Sequence, residues 1–306
     1  MTATAPLSPL TRRYLDIPVA DGTLRALRWG DGPRLVLAVH GITANAACWQ
    51  AVARFLSPGW TLIAVDLRGR AGSAGLPGPY GLDRHAADLL EVAGYLASQG
   101  HPRPVLAGHS LGAYIALLAA ADRPQSFVRM VLVDGGLSLP LPEGIKAEDV
   151  VAATLGPSFA RLRETYPTEK AYFDFWRAHP ALKGSWNADI EDYLRRDLTG
   201  APGALRSGVS EAAVLADGTD LLVAEPRVTA ALKALQLPTV LLTAPAGLLG
   251  SPPGLLPEPL VAHWSEKPGF SAESVPSTNH YTILMDYAAA ARLAARLTGE
   301  EPVAHR

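Results

Sequence analysis

The stretch Val105-Leu106-Ala107-Gly108-His109-Ser110-Leu111-Gly112-Ala113 decides how this chain is to be read. An apolar run from Arg103 to Ala107 meets Gly-His-Ser-Leu-Gly, and a run of helix formers from Ala113 to Ala121 follows. The pattern predicts that Ser110 sits where a buried strand turns sharply into a helix. Side chains at positions 108 and 112 would collide with the neighbouring strand and helix at so tight a bend, so glycine is required at both. The following helix would aim its N-terminal N–H groups at the spot where an oxyanion forms beside the serine. G-x-S-x-G alone is a weak signal. Its strand-turn-helix context gives it chemical meaning.

Outward from this turn, apolar runs alternate with helical spacing. Arg13 to Val19 and Thr23 to Trp29 read as two strands around an Asp21-Gly22 turn. Arg34 to Val39, Trp60 to Val65, Arg103 to Ala107 and Phe127 to Val133 read as strands buried on both faces. Asn45 to Leu56, Leu82 to Ala97 and Tyr281 to Leu297 carry helical spacing, while Thr239 to Thr243 and Gly269 to Val275 supply the last strands. Such alternation predicts a mainly parallel sheet covered on both faces, with ligands at the carboxyl ends of the strands. His40, Asp66, Ser110 and Asp134 all fall at those ends.

Composition narrows the function classes. With 306 residues, 48% of them hydrophobic, the chain is long enough to bury a substantial core. A net charge of -2 and a pI near 6.4 give no broad basic surface for nucleic acid or anionic lipid. A small molecule is the expected partner, and the oligomeric state stays open. Cys48 is the only cysteine, which excludes an internal disulfide and a cysteine-rich metal site. No cofactor or metal is expected. Met1 to Arg13 lacks an apolar targeting core and no later run is apolar enough to span a membrane, so the expectation is a soluble, cytoplasmic protein.

Between Gly135 and Gln236 the strand grammar lapses into short amphipathic pieces, which predicts an inserted helical cap. Its aromatics would mostly form its own small core, with one or two facing the substrate. Phe173, Trp176, Trp186 and Tyr193, with His40 from the sheet edge, are the candidates for the substrate wall. A serine hydroxyl needs a neighbouring base, and His280 is the histidine best placed, in the loop between the last strand and the last helix.

These features together resemble the α/β-hydrolase superfamily: His40-Gly41, Asp66-x-Arg68-Gly69-x-x-Gly72-Ser73, Gly108-His109-Ser110-Leu111-Gly112 and the late His280 follow its signposts in order. The resemblance implies an α/β-hydrolase fold, with a mostly parallel eight-stranded sheet, a core over 1–136 and 237–306, and a helical cap over 137–236. It implies that the backbone N–H groups of Ile42 and Leu111 form the oxyanion hole, with His40 holding the first loop in shape. Asp66 and Arg68 would be structural, and His109 a packed neighbour. A serine nucleophile disfavours epoxide and carbon-halogen chemistry, for which relatives use aspartate. The expected activity is hydrolysis of a carboxylic ester or lactone through an acyl-enzyme. C–C bond hydrolysis, cofactor-free perhydrolysis and a ligand receptor of low turnover are the alternatives.

The family's commoner acid position, after the strand Thr239 to Thr243, reads Ala244-Pro245-Ala246-Gly247-Leu248-Leu249-Gly250 and has no carboxylate. Asp134 ends the strand that follows the Ser110 helix, a place from which some relatives supply the acid, and it keeps the order Ser, Asp, His. Glu258 is the runner-up. Asp217 and Asp220 fall in the cap, and Asp286 lies beyond the histidine.

Overall fold

A computed structural model describes residues 10–138 and 147–300. Eight strands form one sheet: β1 (Arg13–Val19), β2 (Gly22–Trp29), β3 (Arg34–Val39), β4 (Trp60–Val65), β5 (Val105–His109), β6 (Arg129–Val133), β7 (Thr239–Thr243) and β8 (Phe270–Ser274). Their spatial order is β1-β2-β4-β3-β5-β6-β7-β8. Only β1 with β2 and β2 with β4 pair antiparallel, and every other pair is parallel. The hairpin register pairs Val19 with Gly22, so its two-residue turn is Ala20-Asp21, one residue earlier than expected.

The continuous apolar runs reflect burial on both faces. Leu35, Leu37 and Val39 of β3, with Leu106 and with Met130 and Leu132, pack against α1 (Leu82–Ser98) and α2 (Leu111–Asp122). Their alternates, Val36, Ala38, Val105, Ala107, Val131 and Val133, enter a second core with the helix Tyr287–Thr298. Two expected helices are broken. Asn45 caps a 3₁₀ turn, Ala46–Trp49, ahead of a single helical turn, Gln50–Arg54. Asp286 accepts from Ala288 N and Ala289 N and so starts a new helix after the turn Thr282–Met285.

Between β6 and β7 the described chain is mainly helical: α3 (Ala147–Leu155), α4 (Glu169–Arg177), α5 (Ala188–Asp197), α6 (Glu211–Val223) and α7 (Glu225–Ala234). A two-residue ladder joins Leu198–Thr199 to Arg206–Ser207. Polar contacts tie this segment to the loops after β3 and β8 and to the helical turn Gln50–Arg54. Asn45 Nδ2 donates to Tyr193 O at 3.2 Å, Asn279 Nδ2 donates to Ala181 O at 2.7 Å, and Arg54 Nε pairs with buried Asp189 at 2.5 Å. Among the described residues, no helix is long and apolar enough to cross a membrane.

The contact that fixes the relation of sheet to α2 is made by backbone. A Cβ at Gly112 would lie 2.4 Å from Val39 O and 2.7 Å from His40 O, and one at Gly108 would lie 2.2 Å from Gly112 O. Gly112→Ala should therefore force β3 and α2 apart, with a loss of about 3 kcal/mol in folding free energy measured by urea titration.

Candidate active site

Ser110 occupies the junction of β5 and α2 with φ 53° and ψ -123°, a conformation that costs a non-glycine residue on the order of 1–3 kcal/mol. Three constraints hold it there. Its N–H donates to Val133 O at 3.0 Å, Ala113 N donates to its carbonyl at 2.9 Å, and Gly108 and Gly112 let the strand and helix close in. Gly135 belongs to the same set, because a Cβ there would sit 2.6 Å from Ser110 O. Leu111 opens α2, so its N–H is one of the helix's free donors beside Ser110.

His280 and Asp134 meet although 146 residues separate them: Nδ1 of the ring lies 2.6 Å from Asp134 Oδ2, and both residues are buried. Asp134 follows β6 in the left-handed region, at φ 46°, which turns its carboxylate back across the sheet edge. Its second oxygen accepts from Ala244 N at 3.1 Å. Ala244 is the first residue of the loop where the carboxylate was missing from the sequence pattern. Asp134 from the adjacent strand reaches that same place. Glu258 lies on the surface at the start of the helix Glu258–Ser265, and Asp286 serves as a helix cap. His109 packs beside His280, with ring centroids 4.7 Å apart, and its Nε2 lies 2.8 Å from the carbonyl of His280.

The loop after β3 carries Ile42. His40 is fully buried, with Nδ1 2.7 Å from Gly41 O and Nε2 accepting from Leu67 N at 3.0 Å, so both ring nitrogens serve the backbone. It supports this loop and does not join the substrate wall. Two buried arginines absent from the sequence reading also grip the loop. Arg70 donates from Nε and Nη2 to Ile42 O at 3.1 and 2.9 Å, and Arg161 Nη2 donates to Thr43 O at 2.7 Å. The Asp66-to-Ser73 motif contains Arg70, but its spacing does not say where the side chain points. Asp66 accepts from Ala46 N at 2.8 Å and Gly72 N at 3.1 Å, and Arg68 pairs with Asp88.

Ser110 and His280 open onto a cavity of about 130 Å³. Its walls come from Ile42, Leu111 and Tyr114 of the core, Val151 and Leu155 of α3, Gly218 and Leu221 of α6, and Leu248 and Leu255 of the loop after β7. Among the described residues that line it, none is charged apart from what His280 carries when protonated. A smaller lobe of about 30 Å³ that shares Ser110 and His280 with it includes Tyr193 and Tyr281. Tyr193 is thus the one aromatic candidate that reaches the site. Phe173, Trp176 and Trp186 do not line either lobe; they pack with one another and with Tyr172, Phe175 and His179. Tyr172, Phe173 and Trp176 form the buried apolar face of α4, and that face is spent on core packing. Among the described residues no group of three His, Cys, Asp or Glu side chains is placed to hold a metal ion.

The family model for the alpha/beta hydrolase family matches residues 36–296, the greater part of the chain. The chain belongs to this family. Lipase LipV of Mycobacterium tuberculosis is 34% identical over 133 residues, 43% of this hydrolase and 48% of the lipase. N-formylmaleamate deformylase of Pseudomonas putida is 37% identical over 115 residues, covering 37% and 42% of the two chains. The matched stretch therefore spans less than half the length of these relatives. The crystal structure of E-2-(acetamidomethylene)succinate hydrolase shares the fold with a TM-score of 0.76 over 95% of this chain and 100% of that one, at 22% identity.

The hydrolase keeps its supporting imidazoles neutral. Burial, reinforced by the charges of Arg70 and Arg196, lowers the His40 pKa from 6.5 to about 3, against the raising effect of its bond to Gly41 O. His109 is lowered as well, by burial and by the neighbouring His280. The folded His40 stays unprotonated where the unfolded one takes up a proton, so its contribution is complete above pH 6.5 and is lost as pH falls toward 3. The loss amounts to up to about 1.4 kcal/mol per pH unit. In urea titrations between pH 6.5 and 4.5, His40→Gln should show a pH slope shallower than wild type by about that amount, while the His109 share remains.

Proposed function

We propose that this hydrolase is a serine carboxylester hydrolase acting on esters or lactones of short, neutral aliphatic acids. The observation that carries the reading is an uncharged aliphatic cavity opening on Ser110 and His280, with Asp134 bonded to the far nitrogen of the ring. Asp134 holds the tautomer in which Nδ1 bears the proton, leaving Nε2 free to act as the base. Ser110 Oγ attacks the substrate carbonyl carbon as Nε2 takes its proton, and the carbonyl electron pair moves onto oxygen. The N–H groups of Ile42 and Leu111 stabilise that oxyanion, each worth about 3 kcal/mol in the transition state. Collapse expels the alcohol, which receives the proton from Nε2. Water then repeats the sequence on the acyl-enzyme, and the acid leaves.

In this reading the helices between β6 and β7 act as a cap that supplies the aliphatic wall. The cavity is modest, about 130 Å³, and its mainly aliphatic walls suit a short acyl chain. The relatives named for maleamate and succinate compounds act on acids, whose carboxylates call for basic side chains, and the described lining supplies none. This favours an uncharged ester over such a substrate.

Ser110→Ala should lower ester turnover by on the order of 10⁴-fold or more without loss of thermal stability. Asp134→Asn should lower kcat by roughly 10²- to 10⁴-fold with little change in KM, and Glu258→Gln should leave both unchanged. With p-nitrophenyl esters, butyrate should exceed laurate in kcat/KM. A preference for laurate, or turnover by Ser110→Ala within about tenfold of wild type, overturns the reading.

A further inference from the structure

The buried ion pair of Arg70 and Asp217 joins the active-site loop to a helix that carries no reacting group. Arg70 is fully buried, and its planar guanidinium is divided between two tasks. Nε and Nη2 both donate to Ile42 O, while Nη1 reaches Asp217 Oδ2 at 2.6 Å and Arg68 O at 2.8 Å. Asp217, also fully buried, lies in α6 and is itself saturated: Oδ1 accepts from Gly81 N at 2.6 Å, and His85 Nε2 stands 3.0 Å from both oxygens. Burial opposes its ionised form, and Arg70 with these hydrogen bonds outweighs that, holding its pKa below the usual carboxylate value. Replacing a buried pair of this kind by an apolar pair of the same volume is often neutral or stabilising, so stability is a weak account of its presence.

The account lies in what the pair does to Ile42. The N–H of Ile42 belongs to the peptide plane whose carbonyl is that of Gly41, and this plane is pinned by His40 Nδ1 at 2.7 Å and by Ala44 N at 3.1 Å. The next plane, with the carbonyl of Ile42, is pinned by Arg70. With both flanking planes fixed, the direction of the Ile42 N–H has no remaining freedom. Residue 218, the neighbour of Asp217, is glycine where α6 meets the loop: a Cβ there would be 3.4 Å from Ile42 Cδ1 and 2.6 Å from Val151 Cγ2. Helix α6 is thereby seated against the same residue from the cavity side.

We propose that Arg70 and Asp217 are positioning residues which aim the Ile42 N–H at the oxyanion, making α6 a component of the oxyanion hole. The proposal rests on reading Ile42 as an oxyanion donor beside Ser110. Neither side chain touches substrate. Arg70→Lys keeps a charge beside Asp217 but has a single nitrogen, which cannot span Asp217 and the Ile42 carbonyl together. Asp217→Asn keeps the shape and removes the charge that orients the guanidinium.

The experiment uses the full chain and begins with fluorophosphonate labelling of wild type, located by peptide mass. Absence of label on Ser110 removes the serine reading, and the proposal with it. With Ser110 labelled, the reagent titrates active sites in each variant, and kcat is expressed per titrated site for p-nitrophenyl butyrate. Both variants should lose roughly 10- to 100-fold in kcat with KM within about threefold, a fraction of the 10²–10³ that a deleted donor costs. The inhibition constant for butylboronic acid, whose tetrahedral adduct places an oxygen in the hole, should rise by the same factor as kcat falls. Unchanged kcat per titrated site in a folded variant overturns the proposal, because a purely structural pair would change only the number of sites. Failure of both variants to fold overturns it too, since the pair would then serve the fold before the loop.

Discussion

Where β3, β5 and α2 meet, backbone touches backbone with no side chain between them. Val39 and His40 offer carbonyl oxygens to the space in which residue 112 would carry a Cβ, and Gly108 closes on the first turn of the helix from the other side. The sheet's central strands, the helix that follows, and the loop bearing Ile42 all take their positions from this approach. It is also what makes φ 53° at Ser110 sustainable, because the conformational cost of one residue is set against the burial of three elements. Gly135 repeats the device on the neighbouring strand, passing beneath the Ser110 backbone and delivering Asp134 to the same edge.

Most of this was legible in the chain because it rests on short-range rules. Continuous apolar runs report burial on both faces, and β3, β4 and β7 begin and end where those runs do. The glycines around Ser110 announce a steric requirement, and the carboxylate-free loop after β7 points to Asp134 at the end of the adjacent strand. The helix ends were less legible. Asn45 and Asp286 cap helices inside stretches whose periodicity continues across them, so hydrophobic spacing alone runs through both breaks. The arginines gripping the Ile42 loop were not legible, since a guanidinium's partner is decided by tertiary geometry. Arg70 finds Asp217 147 positions away, and nothing in either local sequence marks the pairing.

The aromatic residues of the helical segment illustrate a related limit. Trp176, Phe173 and Trp186 are of a type that lines ligand pockets as readily as it fills cores, and sequence alone does not separate the two roles. A small helical layer needs large side chains to bury enough area for its own stability, and these serve that need. The cavity is instead lined by Val151, Leu155 and Leu221, residues whose sequence context differs little from that of ordinary core positions. Apart from Ser110 and His280, the polar groups among the described lining residues are the hydroxyls of Tyr114, Ser138 and Thr154; the wall is otherwise apolar and uncharged, and discriminates by volume more than by chemistry.

Three imidazoles stand around this site, and the fold has assigned their nitrogens. Both those of His40 are committed to backbone groups. His109 has one at the His280 carbonyl and the other buried without a hydrogen-bond partner among the described residues. His280 has Nδ1 at Asp134. With Nδ1 of His280 held by Asp134, the ring that lines the cavity has only Nε2 to offer there. In the proposed reaction, proton traffic therefore runs along one atom, and an electrophile shaped for the aliphatic cavity would find one imidazole to alkylate among three.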